Sequence, residues 1–270
     1  MSGGNLGRAF AESSDGSLAG PSPRSSEPAT RFFADLHTHS NASFDSLASP
    51  GSLVRTAASR GLTHLAITDH DRIDGAREAR DRAAEIAPDL TVIVGEEVRT
   101  TDGDLICLFL DRAIPPGLSA DEAIAEARSQ GALVGVPHPF DRFRGSLLRD
   151  ARMELLAGRV DWIETHNSRI PFGTGNERAA AFAIEHGLPG IAVSDAHSAV
   201  EVGVSYTVLD GDPSTAAGLL AALPGAALVT GRASMYVRLL TPVAKVIQRA
   251  RGNGRLRVTH DPSDAPAAVR

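Results

Sequence analysis

Residues 35–40 read Asp35-Leu36-His37-Thr38-His39-Ser40, directly after the apolar pair Phe32 and Phe33. The run reads as the end of a short buried strand. Side chains alternate faces along a strand, so residues two apart share one face. His37 and His39 therefore project side by side at the strand's C-terminal end, where two imidazoles can hold one metal ion in common. A single His-x-His also arises by chance, but here the event recurs. Along the chain an apolar run ends, and a His, Asp or Glu follows at once.

Working outward, a helix is expected over 51–59, opened by Pro50 and closed at Gly61, where a left-handed C-cap belongs. A strand over 64–68 ends in Asp69-His70-Asp71, and a polar, Ala- and Arg-rich helix over 75–86 follows. The strand over 91–94 runs into Gly95-Glu96-Glu97; Glu97 is in phase with Ile93, so Glu96 faces the other way. Asp102-Gly103 reads as a hairpin turn before a strand over 105–110. Ser119 and Glu122 form a capping box for the next helix. Strands over 132–136, 161–165 and 190–193 end in Pro137-His138-Pro139, His166-Asn167 and Ser194-Asp195-Ala196-His197, with helices over 147–156 and 177–186 between them. Apolar stretches at 206–209 and 226–229 flank a helix over 213–223.

This alternation of short strands and helices is the pattern of an α/β fold with a largely parallel sheet. Six of the strands end in a potential ligand. Reacting groups of parallel α/β folds gather at the C-terminal strand ends, and a closed or nearly closed barrel brings all six round one mouth. The candidate metal ligands are His37, His39, His70, Glu97, His138, Asp195 and His197, with Asp45 in the loop after the first pair folding back over the mouth. His166 reads as a ligand or a substrate contact, beside Asn167. Arg142, Arg144 and Arg169 follow strand ends and suit phosphate oxygens, which the guanidinium fork pairs in two places. His186 reads as a helix-end cation, and His64, His260 and Cys107 as structural or solvated residues.

Composition sets the bounds. The 270 residues, 42% hydrophobic, suffice for a sizeable core. A net charge of −6 gives no footprint for nucleic acid. One cysteine excludes an intrachain disulfide and points to a reducing, cytoplasmic compartment. No apolar run approaches the ~20 residues of a membrane span. Residues 1–30 read as a disordered Ser-, Gly- and Pro-rich leader, 31–240 as the working domain, and 241–270 as a basic helix over 243–251, stopped by Gly252-Asn253-Gly254, with a loose tail.

Five motifs in order, DLHTHS, ITDHD, GEEV, VPHPFDRFR and VSDAH, resemble those of the PHP (polymerase and histidinol phosphatase) family, in particular its small stand-alone metal-dependent phosphoesterases. The resemblance implies a distorted seven-stranded (β/α) barrel with two to three divalent ions at its mouth. It implies that His37, His39, Glu97 and Asp195 hold the first ion, that Glu97 bridges to a second shared with His138, and that His70, His197 and Asp45 hold a third. Many members carry a further His on the strand after the glutamate; here that stretch is Leu105-Ile106-Cys107-Leu108. The mixed donor set suits Mn, Zn or Fe. The expected chemistry is hydrolysis of a small phosphomonoester or phosphodiester by a metal-activated hydroxide, with His70, His197 or a metal-bound water protonating the leaving oxygen and Asp69 orienting a ligand. The expected partner is a small phosphorylated substrate. Hydrolysis of another bond and a non-catalytic regulatory or scaffold role are the alternatives.

Overall fold

Strand β1 (Phe32–Asp35) is the hinge of the architecture, since strands pair with it on both sides. The protein was studied as a computed structural model describing residues 1, 30–141, 150–170 and 174–255, apart from the side chains of 150–152 and 238. Most of the expected leader, the far end of the tail, and Arg142 and Arg144 lie outside these residues. Along the chain follow α1 (Pro50–Ser59), β2 (His64–Ile67), α2 (Asp74–Ile86), β3 (Thr91–Arg99), β4 (Asp104–Leu108), α3 (Ala120–Ser129), β5 (Leu133–Val136) and α4 (Asp150–Leu156). The remainder comprises β6 (Trp162–Asn167), α5 (Gly175–His186), β7 (Gly190–Val193), β8 (Tyr206–Leu209), α6 (Ala216–Ala222), β9 (Ala227–Val229) and α7 (Met235–Ala250).

Local chemistry sets the helix ends. Ser49 accepts from Ser52 N at the start of α1 with Pro50 in the first turn, and Ser119 and Glu122 close the capping box of α3. Gly187, at φ 64°, ends α5 in the left-handed region that glycine adopts without steric cost.

The sheet has nine strands in the order β7-β6-β5-β4-β3-β2-β1-β8-β9. The strands from β1 to β3 and from β5 to β7 pair in parallel, while β4 is antiparallel to both neighbours, as are β8 to β1 and β9 to β8. A parallel bridge between Thr38 and Ala196 joins the segments beyond β1 and β7, so the sheet curls into a nearly closed barrel. The strand count is thus nine among the described residues rather than the expected seven: β8 and β9 extend the sheet from the outer side of β1. Residues alternate between two apolar layers. Leu65, Ile67, Val92 and Val94 pack towards the helices, while Ala66, Ile93, Ile106 and Trp162 fill the barrel interior. Trp162 lies across from Gly135, where an added Cβ would sit 2.1 Å from the indole.

Two elements exceed the sequence expectation. Strand β3 runs on to Arg99, which sets Glu96 and Glu97 inside a strand. Helix α7 begins at Met235, not residue 243, with Pro242 inside it, and Gly252 at φ 80° turns the chain after it. No described helix is long and apolar enough to cross a membrane.

Candidate metal centre

Five segments deliver the expected ligands to one place. The extension of β1 carries His37 and His39, both fully buried; the end of β2 carries His70; Glu97 sits on β3; His138 follows β5; Asp195 and His197 follow β7. His37 Nε2 and His39 Nε2 face each other at 2.9 Å. Glu97 Oε2 is 3.3 Å from each, and Asp195 Oδ1 lies 3.6 Å and 3.5 Å from them. Ligands at ~2.0–2.1 Å from a tetrahedral ion stand about 3.3 Å apart, so these four atoms have the spacing of a single coordination shell.

Beside this set, Glu97 Oε1 lies 3.1 Å from His138 Nε2. On the other flank Asp45 Oδ2 is 3.4 Å from His70 Nε2 and 3.2 Å from His197 Nε2. The His39 ring stands 4.8 Å from that of His70 and 4.4 Å from that of His197. Glu97 therefore presents one oxygen to His138 and the other to His37, His39 and, at 3.4 Å, His70. The donors fit divalent metal: Nδ1 atoms of His39 and His70 are buried without a hydrogen-bond partner among the described residues, and ring nitrogens face carboxylates within one small volume. His37, His39 and Asp195 form one potential metal group, and His39, His70 and His197 another.

Electrostatics agree. Burial opposes charge on His37, yet the Glu164 and Asp195 carboxylates outweigh it and hold its pKa well above the ordinary value. The same contest, won by Glu97 and Asp45, takes His70 to about 9. Burial would raise Glu97; His70, with hydrogen bonds from His138, His37 and His39, instead holds it well below the usual range. A field that favours protons on buried imidazoles favours a cation. His197 is the exception, driven to about 3 by burial and by the Arg169 guanidinium, which leaves a neutral ring. Its Nδ1 donates to the Asp195 carbonyl at 2.9 Å, so Nε2 carries the lone pair towards Asp45.

The backbone at these strand ends is strained. Asp71, His138 and Asp195 have φ of 57°, 29° and 53°, conformations that cost non-glycine residues of order 1–3 kcal/mol and cluster at functional sites.

Other expected residues take different places. Asp69 contacts no ligand ring through a hydrogen bond; its carboxylate accepts from the Ser40 N–H and hydroxyl, both at 2.6 Å, pinning the backbone beyond His39. Asn167 donates to Glu164 and Asp195 at 2.9 Å and 3.0 Å, a support for ligands rather than a surface open to substrate. His166, at a register shift in β6, turns to the Gly231 carbonyl at 2.8 Å and is outside the cluster. Arg169 is buried and pairs with Glu201 at 2.9 Å and Thr241 at 2.7 Å, behind His197 rather than at the mouth. Glu96 does face away, with its Oε2 accepting from Ile114 N, and burial lifts its pKa to about 8. Ile106 stands directly across from Glu97, where a histidine would have added a donor.

Three contributors escaped the sequence reading. Glu164 accepts from His37 Nδ1 at 2.5 Å and from the His138 N–H at 2.7 Å; its signal was a carboxylate inside a strand otherwise inward-facing at Trp162. Asp104, two residues before Ile106 on the same face, groups with His70 and Glu97. Gln248 of α7 donates through Nε2 to the carbonyls of Asn41, Ser43 and Ser46 at 2.6, 3.0 and 2.8 Å, clamping the loop that carries Asp45. No local pattern in the sequence marks that last contact.

A barrel mouth ringed by imidazoles and carboxylates at the strand ends defines a class of metal-binding α/β proteins. Within it, this chain belongs to the PHP family: the PHP domain matches residues 35–157 and the PHP-associated region residues 173–226. An uncharacterized protein of Methanocaldococcus jannaschii, MJ0417, is 34% identical over 177 residues, covering 64% of this chain and 68% of that protein. A 5'-3' exoribonuclease of Haemophilus influenzae is 34% identical over 119 residues, 40% of this chain and 42% of the enzyme. In fold, the chain is similar to a two-domain Bacteroides vulgatus protein described as containing a predicted PHP-like metal-dependent phosphoesterase, with TM-score 0.62 and 22% identity. That similarity covers 75% of this chain and 65% of the other, so this chain spans less than two thirds of that protein.

Proposed function

We propose that the protein is a metal-dependent phosphoesterase acting on a small phosphomonoester or phosphodiester. The observation that carries the reading is the convergence of His37, His39, Glu97 and Asp195 within 3.6 Å of one another in the pairs measured, with Glu97 turning its second oxygen to His138. His37, His39, Glu97 and Asp195 would hold one divalent ion, Glu97 and His138 a second, and His70, His197 and Asp45 a third. Mn, Zn and Fe all suit such donors. Bound there, the ions supply Lewis acidity and lower the pKa of water towards ~7.

The chain's own groups do the rest. Glu164 fixes the His37 tautomer by accepting a hydrogen bond from its Nδ1–H, which leaves the Nε2 lone pair free to ligate an ion. Asp69 and Gln248 hold the two ends of the loop over the mouth. His70 both belongs to the cluster and lines the cavity at the mouth, so a substrate held in that cavity would lie directly beside the ligand set. A small nucleotide or sugar phosphate suits this opening, and the exoribonuclease relative supports phosphoester chemistry. One observation favours the alternative of a binding or scaffold module: Ile106 gives the ion between Glu97 and His138 no third protein donor on β4.

Elemental analysis of the purified protein, with phosphomonoesterase and phosphodiesterase assays after Mn or Zn addition, tests the proposal. Two or more ions with turnover, both lost in Glu97→Ala, are the expected result. No turnover under any supplement, or near-normal rates in Glu97→Ala, would refute it.

A further inference from the structure

Beside the metal cluster lies a cavity of ≈ 400 Å³, lined among others by Phe44, His70, Arg72, Asp74, Asn253 and Arg255. Its outer wall is the turn that follows α7, a part of the chain beyond residue 226, where the family matches end. Gly252 makes the reversal possible with φ 80°. Asn253 then locks it: its Nδ2 donates to the Ala42 carbonyl at 2.8 Å, and its Oδ1 accepts from Arg72 at 3.3 Å. A wall tied down in this way is a built surface rather than a loose end.

The cations around this cavity are not equivalent. Arg72 is committed, with Nε and Nη2 on the two Asp74 oxygens at 2.6 and 2.7 Å. Arg255 is only partly so: its Nη2 pairs with Asp104 Oδ2 at 3.4 Å, while its Nε is buried with no hydrogen-bond partner among the described residues. The guanidinium lies 5.3 Å from the centre of the Phe44 ring, and that ring is 4.8 Å from His70. The Lys245 ammonium stands 5.4 Å from the same ring. A buried Nε–H with no partner among the described residues, on a cation next to a cluster suited to divalent ions, fits a tetrahedral oxyanion.

Resting on the phosphoesterase reading above, we propose that Arg255 is the phosphate anchor of the site: its guanidinium grips non-bridging oxygens of the substrate's phosphoryl group while the group faces His70 and the metal ligands. The segment after α7 is then part of the binding site, and Phe44 sets the height of the guanidinium by stacking beneath it.

The test is calorimetric binding of inorganic phosphate to the metal-loaded full-length protein, to Arg255→Ala, Arg255→Lys and Arg251→Ala, with metal content measured on each. Arg255→Ala is expected to weaken phosphate about tenfold or more with metal content unchanged. Arg255→Lys should recover part of the loss, since it keeps the charge without the fork; Arg251→Ala, exposed at the helix end, should bind as wild type. Equal affinity in Arg255→Ala overturns the proposal, as does a loss that merely follows loss of metal, or a wild-type protein that binds no phosphate. Phosphate bound through Arg255 without turnover of any ester would sink the hydrolase reading and leave the anchor standing.

Discussion

The Glu164 carboxylate accepts from His37 Nδ1 at 2.5 Å, from the His138 N–H at 2.7 Å and from Asn167 at 2.9 Å, so one side chain orients two ligands. Groups that hold ligands in place are worth about 10–100-fold in metal affinity. Glu164→Gln is therefore expected to weaken metal binding by that factor, measured by competition with a chelating dye; unchanged affinity would remove Glu164 from the centre. The adjacent pair Glu96 and Glu97 separates packing from coordination. At pH 7 the Glu96 carboxyl, with a pKa of about 8, is mostly neutral and only accepts from Ile114 N, so Glu96→Gln should alter stability by less than about 1 kcal/mol and keep its metal. Away from the site, burial lowers the pKa of His64, although the Asp212 carboxylate works against it. The unfolded chain then binds a proton near pH ~6.5 that the folded chain does not, so stability falls as pH drops below that value. Urea midpoints at pH 7 and pH 5 should differ less in His64→Gln than in wild type; an equal difference would show that His64 does not carry the effect.

At the scale of elements, the parallel strands and their helices were legible because periodicity and caps are local. Ser119 with Glu122, Pro50 and Gly187 mark ends that the structure places where those residues stand. The hairpin at Asp102-Gly103 marks β4 as antiparallel to β3, as the structure has it; its antiparallel pairing with β5 was not legible, because that partner lies beyond α3 in the chain. Nor was α7. Its buried residue Gln248 makes contacts more than 200 residues away in sequence, which no window of sequence can show. Removing three loop carbonyls' donor should cost roughly 1–3 kcal/mol. Gln248→Ala is thus expected to lower the denaturation midpoint and, on the ligand assignment proposed above, to lose metal at Asp45 before metal at His37 and His39. A wild-type metal count in this variant would mean that the loop stands without its clamp.

For the whole molecule, curling of the sheet converts ligands scattered from residue 37 to residue 197 into one cluster. Metal bound only to that folded arrangement stabilises it by mass action, about 2.7 kcal/mol at a hundred times Kd. Chelation should accordingly lower Tm by several degrees, and Mn or Zn should restore it. A Tm indifferent to chelator would mean that no ion is coupled to the fold.

The amino-acid sequence by itself determined the α/β class and which His, Asp and Glu side chains between His37 and His197 stand at strand ends and meet there, because strand alternation and residue type are properties of short segments. The tertiary structure alone decided the nine-strand sheet, the support of the ligands by Glu164, Asn167 and Ser40, and the closing of the mouth by α7 and the turn to Arg255. It also moved Arg169 from the expected phosphate contact to a buried pair with Glu201. Those outcomes depend on which distant segments the curled sheet presses together, and each is settled by burial and hydrogen-bond satisfaction across the fold rather than by neighbours in the chain.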